Sequence, residues 1–117
     1  MRASRLAASV IALWAGVAGA ADYSGTYGLT AGSDCSILGM DHPNGTIVIS
    51  EGVFSGIESS CRMTRPVDVI GMDATLFTFE CAGEGLQWDM RVMLMWAAEG
   101  GIYVIRDGFA AQYPACP

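Results

Sequence analysis

The chain has no lysine and only one histidine, His42, among its 117 residues. Six arginines stand against twelve acidic residues, and only four arginines remain when residues 1–20 are set aside, which leaves a net charge of −8. Such a surface has few cations with which to neutralise phosphate groups. We therefore expect no nucleic acid and no anionic membrane as a partner, whereas a cationic protein is favoured electrostatically.

The sequence also has no segment in which apolar residues recur every three to four positions, as they do in an amphipathic helix. The one long apolar run, Leu6 to Val17, is too short to span a bilayer. It follows two arginines and precedes Ala18-Gly19-Ala20, an order typical of a secretory signal. The sequence thus predicts a signal peptide over residues 1–20 and a single secreted or periplasmic domain over 21–117, with no membrane span after cleavage.

Four cysteines in a chain expected to be exported indicate two disulfides. We prefer Cys61 with Cys81, because both lie on predicted antiparallel strands that face each other across a reversal near Gly71. Cys35 with Cys116 would then tie the ends of the domain together. The competing pairing is Cys35 with Cys61 and Cys81 with Cys116. No two cysteines have the spacing of about two to four residues usual for zinc ligands, so we predict no metal.

The clearest strand signal runs from Leu76 to Trp96, where apolar and polar residues alternate across a turn. The inward positions predicted for the two arms are Phe77, Phe79 and Cys81, and then Leu86, Trp88, Met90, Val92 and Leu94. A turn over the four residues Ala82–Gly85 would set Phe79 opposite Trp88 and Cys81 opposite Leu86. This hairpin is predicted to form the core.

Weaker strand signals lie on both sides of this hairpin: Asp22–Thr30, Thr46–Ser50, Val53–Met63, Ile102–Arg106 and Phe109–Tyr113. Phe54, an even-numbered residue, is predicted to face inward, whereas the inward residues after Gly56 are odd-numbered; one extra residue, a β-bulge at Gly56, would explain the change. Residues 64–74 are predicted as a connection. The irregular stretch 31–45 is expected to be pinned by Cys35. The predicted fold is all-β: a small antiparallel, meander-rich barrel or closed sandwich of about seven strands with two disulfides.

Met93 and Met95 occupy the face of the central strand that earlier carries polar residues. Either the 31–45 loop or a neighbouring strand covers these two thioethers, or they form an exposed apolar patch. We therefore take Met93, Met95 and Trp96, together with Asp41 and His42, as a candidate binding surface.

Met90, Met93, Met95 and Trp96, with His42, resemble the soft-ligand set of small periplasmic copper carriers of the β-barrel type. The resemblance implies a Cu(I) carrier. The spacing differs from that family's Trp-x-x-Met-x-Met, and Met90 and Met93 fall on opposite faces of the strand. From the residues themselves we predict no cofactor.

The chain is expected to be a short, exported, acidic β-barrel with disulfides. In this general plan it is similar to periplasmic inhibitors of c-type lysozyme. Ser24-Gly25-Thr26-Tyr27 approximates that family's Ser-Gly-x-x-Tyr motif but is one residue shorter. The family's second motif carries a lysine and has no counterpart here. The resemblance implies an inhibitor that binds a basic hydrolase.

No catalytic set emerges from the sequence. His42 beside Asp41 would suit a general base, but no Gly-x-Ser-x-Gly elbow occurs. Glu80 and Asp89 would lie on the outer face of the hairpin, where water solvates charges. We therefore expect a non-enzymatic binding module that binds or inhibits a cationic protein. The alternatives are a small-ligand or Cu(I) carrier, a structural envelope protein and, as the weakest, a small hydrolase.

Overall fold

The computed structural model describes residues 21–40, 43–56 and 59–117. The expected signal peptide, and Asp41 and His42, lie outside these residues. One antiparallel sheet holds eight strands in chain order: β1 (Gly25–Gly28), β2 (Thr46–Ser50), β3 (Val53–Ser55), β4 (Ser59–Asp68), β5 (Ala74–Gly83), β6 (Leu86–Trp96), β7 (Ile102–Arg106) and β8 (Phe109–Tyr113). The described residues include no helix, and hence none that could cross a membrane. The all-β prediction is confirmed.

The sheet curls until β1 meets the residues that follow β8. Tyr27 forms an antiparallel bridge with Ala115. The Gly28 N–H donates a hydrogen bond to the Pro114 carbonyl oxygen, with 2.8 Å between the N and O atoms. These contacts join the first strand to the tail of the last, so the fold is a nearly closed barrel rather than a sandwich.

Both preferred disulfides are present. Cys61 and Cys81 lie directly opposite each other in the register of β4 and β5, with their Cα atoms 3.9 Å apart. Cys35, in the loop between β1 and β2, is bonded to Cys116 beyond β8. The long irregular loop is therefore pinned, as predicted.

The structure has one strand more than predicted, because the segment 53–63 forms two strands. The chain reverses after β3, and the Gly56 N–H donates a hydrogen bond to the carbonyl oxygen of Ser59. Phe54 and Cys61 thereby become cross-strand partners. The predicted bulge at Gly56 is wrong, since this reversal accounts for the change of parity.

A register shift lies within β4 instead, between Thr64 and Val67. Pro66 lies within this shift, where a residue without a backbone N–H disturbs the cross-strand hydrogen bonds least. β4 continues to Asp68 and β5 begins at Ala74, so the prediction that residues 64–74 form a connection holds only for residues 69–73.

The β5–β6 hairpin is confirmed, but its register differs from the prediction by two residues. Trp88 lies opposite Cys81 rather than Phe79. The reason is that only Glu84 and Gly85 form the turn, with φ of 51° and 77°, the positive values of a type I′ turn. A shift of two keeps every side chain on its predicted face but places Trp88 closer to the tip.

Inward-facing side chains fill most of the barrel. The buried cluster consists of Tyr23, Tyr27, Ile47, Ile49, Cys61, Phe77, Phe79, Cys81, Val92, Leu94, Ile102, Val104 and Tyr113. The Tyr27 hydroxyl donates a hydrogen bond to the Tyr23 carbonyl oxygen at 2.6 Å, and the Tyr23 hydroxyl donates one to the Leu94 carbonyl oxygen at 3.1 Å. These buried tyrosines therefore have partners for their polar ends.

Candidate functional site

One end of the barrel, here called the open end, gathers every second connection of the meander. It carries the β1–β2 loop, the β3–β4 loop, the Glu84-Gly85 turn and the Asp107-Gly108 turn. The core cluster does not fill the barrel at this end, and a cavity of about 220 Å³ remains. Protein interiors are otherwise close-packed, so a cavity of this size marks a candidate site.

Aromatic and sulfur-containing side chains form most of the cavity wall. The lining residues are Met40, Phe54, Gly56, Ser59, Cys61, Phe79, Trp88, Met90, Val92, Val104, Arg106, Phe109 and Tyr113. Met40, Trp88 and Phe109 each expose 39% of their surface. The cavity is therefore apolar inside and has a rim that solvent reaches.

The sheet register explains one wall of the cavity. Phe54, Cys61, Cys81 and Trp88 form a continuous row across β3, β4, β5 and β6. The disulfide ties the middle of this row, and the ring of Phe79 lies 5.4 Å from that of Phe54, centroid to centroid. These side chains project from strands rather than from loops, so the wall is held in a fixed shape.

β7 and β8 supply the facing wall. Arg106 and Phe109 are partners across the Asp107-Gly108 turn, and the guanidinium carbon lies 4.6 Å from the centroid of the Phe109 ring. This is a cation–π contact. Burial raises the pKa of Tyr113 on the same wall, and the positive charge of Arg106 opposes that rise.

The β1–β2 loop reaches the rim through Met40. Gly56 makes room for it, because a Cβ atom at that position would come within 2.9 Å of the Met40 sulfur. The thioether therefore rests against the β3–β4 loop, where a side chain larger than hydrogen would displace it.

Of the candidate surface predicted from the sequence, the described residues Met93, Met95 and Trp96 do not all lie on one face of the sheet. Met93 and Met95 lie half-buried on the outer face of β6, opposite Leu76 and Ala74. Trp96 faces inward and stacks on Tyr23, with 4.8 Å between the ring centroids. Trp96 therefore packs against the core and shares no surface with the two methionines; Asp41 and His42 lie outside the described residues.

The copper-carrier set is likewise divided by the sheet. Met90 lines the cavity, whereas Met93 and Met95 are on the outer face. Within the described ranges, no group of three or more His, Cys, Asp or Glu side chains could hold a metal ion. The residues that the structure describes thus give no support to a site built from Met90 together with Met93 and Met95.

The segment that approximates the lysozyme-inhibitor motif enters the core. Tyr27 exposes 2% of its surface, and its hydroxyl is bound to the carbonyl oxygen of Tyr23. Only Ser24 and Gly25 of this motif are exposed. Tyr27 is therefore not available to a partner in this structure.

Sequence reasoning does not identify Arg106 or Phe109 as site residues and assigns Trp88 to the core. The available signal was the Glu-Gly pair at 84–85, which suits a two-residue turn and would have moved Trp88 toward the rim. The chain matches no protein-family model, no curated protein and no solved structure at a significant level. Its function must therefore be inferred from the geometry of the open end.

Proposed function

We propose that this chain is a non-enzymatic binding module that holds a small, largely apolar ligand in the open end of its barrel. The supporting observation is the cavity of about 220 Å³, whose walls are aromatic and thioether side chains. In another protein, an apolar cavity of roughly 150 Å³ binds benzene. The space here suits a single aromatic ring or a short acyl chain.

The expected affinity follows from the apolar surface that such a ligand buries. Each methylene removed from water contributes about 0.8 kcal/mol, so six fully buried carbons contribute at most about 5 kcal/mol, which corresponds to a Kd no lower than roughly 0.2 mM. Trp88 and Phe109 at the rim would lose exposed surface at the same time. Binding should therefore be measurable with simple probes at millimolar concentrations.

Neutral probes test the cavity directly. We expect 1-hexanol and benzyl alcohol to shift the indole N–H resonance of Trp88 in NMR spectra of the oxidised protein, and to leave that of Trp96 nearly unchanged. Trp88→Ala, which lacks that indole and is followed through its backbone amide resonances instead, should bind about tenfold more weakly through lost contact area. Leu86→Ala is the matched control, because Leu86 lies on the same strand, exposes 68% of its surface and does not line the cavity. If neither alcohol binds up to its solubility limit, the proposal fails.

The acidic surface supports a second function, recognition of a cationic protein. Four arginines oppose twelve acidic residues after residue 20, and two turns of the open end carry the exposed acids Glu84 and Asp107. Such a field steers a basic partner toward this end. Binding to a panel of basic hydrolases at low salt that is lost at high salt would support this function, and no binding at either salt would exclude it.

We further propose that the protein acts in the periplasm or outside the cell. Its two disulfides fit an oxidising compartment, where such bonds persist. Fractionation of expressing cells with detection of the oxidised form tests this placement. Recovery of a reduced chain in the cytosolic fraction would contradict it.

A further inference from the structure

We propose that the ligand of the open end is an amphipathic anion, and that Arg106 binds its negatively charged group. This inference rests on the proposed function of the cavity. The cavity walls account for binding of the apolar part of the ligand, and the present inference adds a partner for its charged group.

Arg106 lies on the inward face of β7, at the end of the strand where the side chain is exposed. Residues alternate along β7, where Ile102 and Val104 are buried inside, and Arg106 is the next residue on that face. Among the described residues that line the cavity, it is the one charged side chain. A cation is therefore placed where the apolar wall meets the rim.

Among the residues that the structure describes, no carboxylate neutralises the guanidinium of Arg106. In the part of the chain that the structure describes, the ion pair present is that of Arg62 with Glu80, with 2.7 Å between N and O, and no carboxylate pairs with Arg106. The contact with the Phe109 ring leaves the N–H donors in the plane of the guanidinium free. Such a planar fork matches the two oxygens of a carboxylate.

The net charge of −8 does not prevent an anion from binding here. At physiological ionic strength, charges more than about 8 Å apart are largely screened. The exposed acids Glu84 and Asp107 also lie at the open end, but solvent screens them, and the attraction of a carboxylate to a guanidinium in direct contact outweighs their repulsion. We therefore expect a small carboxylic acid with one ring or a short chain, its carboxylate at Arg106 and its apolar part between Trp88 and Phe79.

Matched pairs of probes separate the charge from the apolar part. Hexanoate is compared with 1-hexanol, and phenylacetate with 2-phenylethanol, by NMR titration of the oxidised protein and of Arg106→Gln. We expect the variant to bind each carboxylate roughly tenfold more weakly and each alcohol within about twofold of the original affinity. Arg91→Gln is the control, because Arg91 is an exposed arginine opposite Thr78 on the outer face, and it should change neither.

The outcomes distinguish this inference from the function on which it rests. If the alcohols bind and Arg106→Gln weakens carboxylates no more than alcohols, Arg106 is not the anion partner and the apolar cavity function stands. If neither probe of a pair binds, the cavity function itself fails. Should Arg106→Gln not fold, the pH dependence of hexanoate binding to the unsubstituted protein decides. We expect this binding to depend on salt while hexanoate is ionised and to lose that dependence once hexanoate is protonated. Salt dependence that does not change with the protonation of hexanoate overturns the inference.

Discussion

The N–H of Gly28 donates a hydrogen bond to the carbonyl oxygen of Pro114 across 2.8 Å, and this contact lies on the line along which the barrel closes. Two residues further on, Cys116 donates its N–H to the carbonyl oxygen of Thr26 and is bonded to Cys35. The Cys35–Cys116 disulfide thus anchors the tail that completes the barrel. Its role differs from that of the disulfide within the sheet.

Removing the Cys35–Cys116 bond should open this closure selectively. In the chain-entropy model, a bond between residues 81 apart stabilises by up to about 4.5 kcal/mol, and the Cys61–Cys81 bond, with a separation of 20, by about 3 kcal/mol. We expect urea unfolding of Cys35→Ala/Cys116→Ala to show the larger loss. Hydrogen exchange should show faster exchange of the Gly28 amide in that variant than in Cys61→Ala/Cys81→Ala, and equal exchange in both would contradict the assignment.

Three buried tyrosines predict a stability loss at alkaline pH. Burial raises the pKa of Tyr23, Tyr27 and Tyr113 above the ordinary value of 10.0. The unfolded chain therefore loses these protons before the native barrel does, so the free energy of unfolding keeps its full value below about pH 10 and falls as the pH rises through the native pKa values. Urea unfolding between pH 7 and 12 measures this, and Tyr113→Phe should make the alkaline decline shallower.

Local alternation is sufficient to predict much of this fold. Residues 77–81 and 86–94 alternate because one face of a strand is buried, and a buried face imposes a period of two. Antiparallel pairing across the predicted reversal near Gly71 places Cys61 opposite Cys81, and this predicts the bond between them. The sequence does not predict the boundary between β3 and β4, because a chain reversal and a β-bulge can both switch the inward-facing positions from even to odd residue numbers.

The site could not be predicted in the same way, because it depends on the length of one turn and on closure of the barrel. A turn of two residues rather than four moves Trp88 from the core to the rim. The facing wall contains Phe109, which is 55 positions from Phe54 in the sequence. Only the curvature of the whole sheet brings these two residues to one cavity, and no local pattern encodes it.

Two turns contain glutamate in a conformation that disfavours it. Glu51 and Glu84 both have φ of 51° and both precede a glycine with φ of 77° in a two-residue turn. Asparagine tolerates this left-handed region much better than glutamate. We expect Glu51→Asn and Glu84→Asn each to raise the free energy of unfolding by about 0.5 to 1 kcal/mol, measured in urea.

A control for these substitutions separates backbone conformation from charge. Asp107→Asn removes an acid from the two-residue turn between β7 and β8, where the residue does not have a positive φ. It should not reproduce the stabilisation. A gain of equal size at position 107 would attribute the effect to reduced negative charge.

Filling the cavity should block the ligand without disturbing the outer surface. Met90 lines the cavity and is only partly buried, so a tryptophan there can occupy space that the protein leaves empty. We expect Met90→Trp to reduce binding of 1-hexanol about tenfold or more, and to change stability little, because added contacts offset strain from the larger side chain. Met93→Trp introduces the same side chain three residues along the same strand on the outer face, and should leave binding unchanged. If both variants bind 1-hexanol like the original protein, the ligand lies elsewhere than in the barrel; if both lose binding, the outer face of β6 takes part in the site.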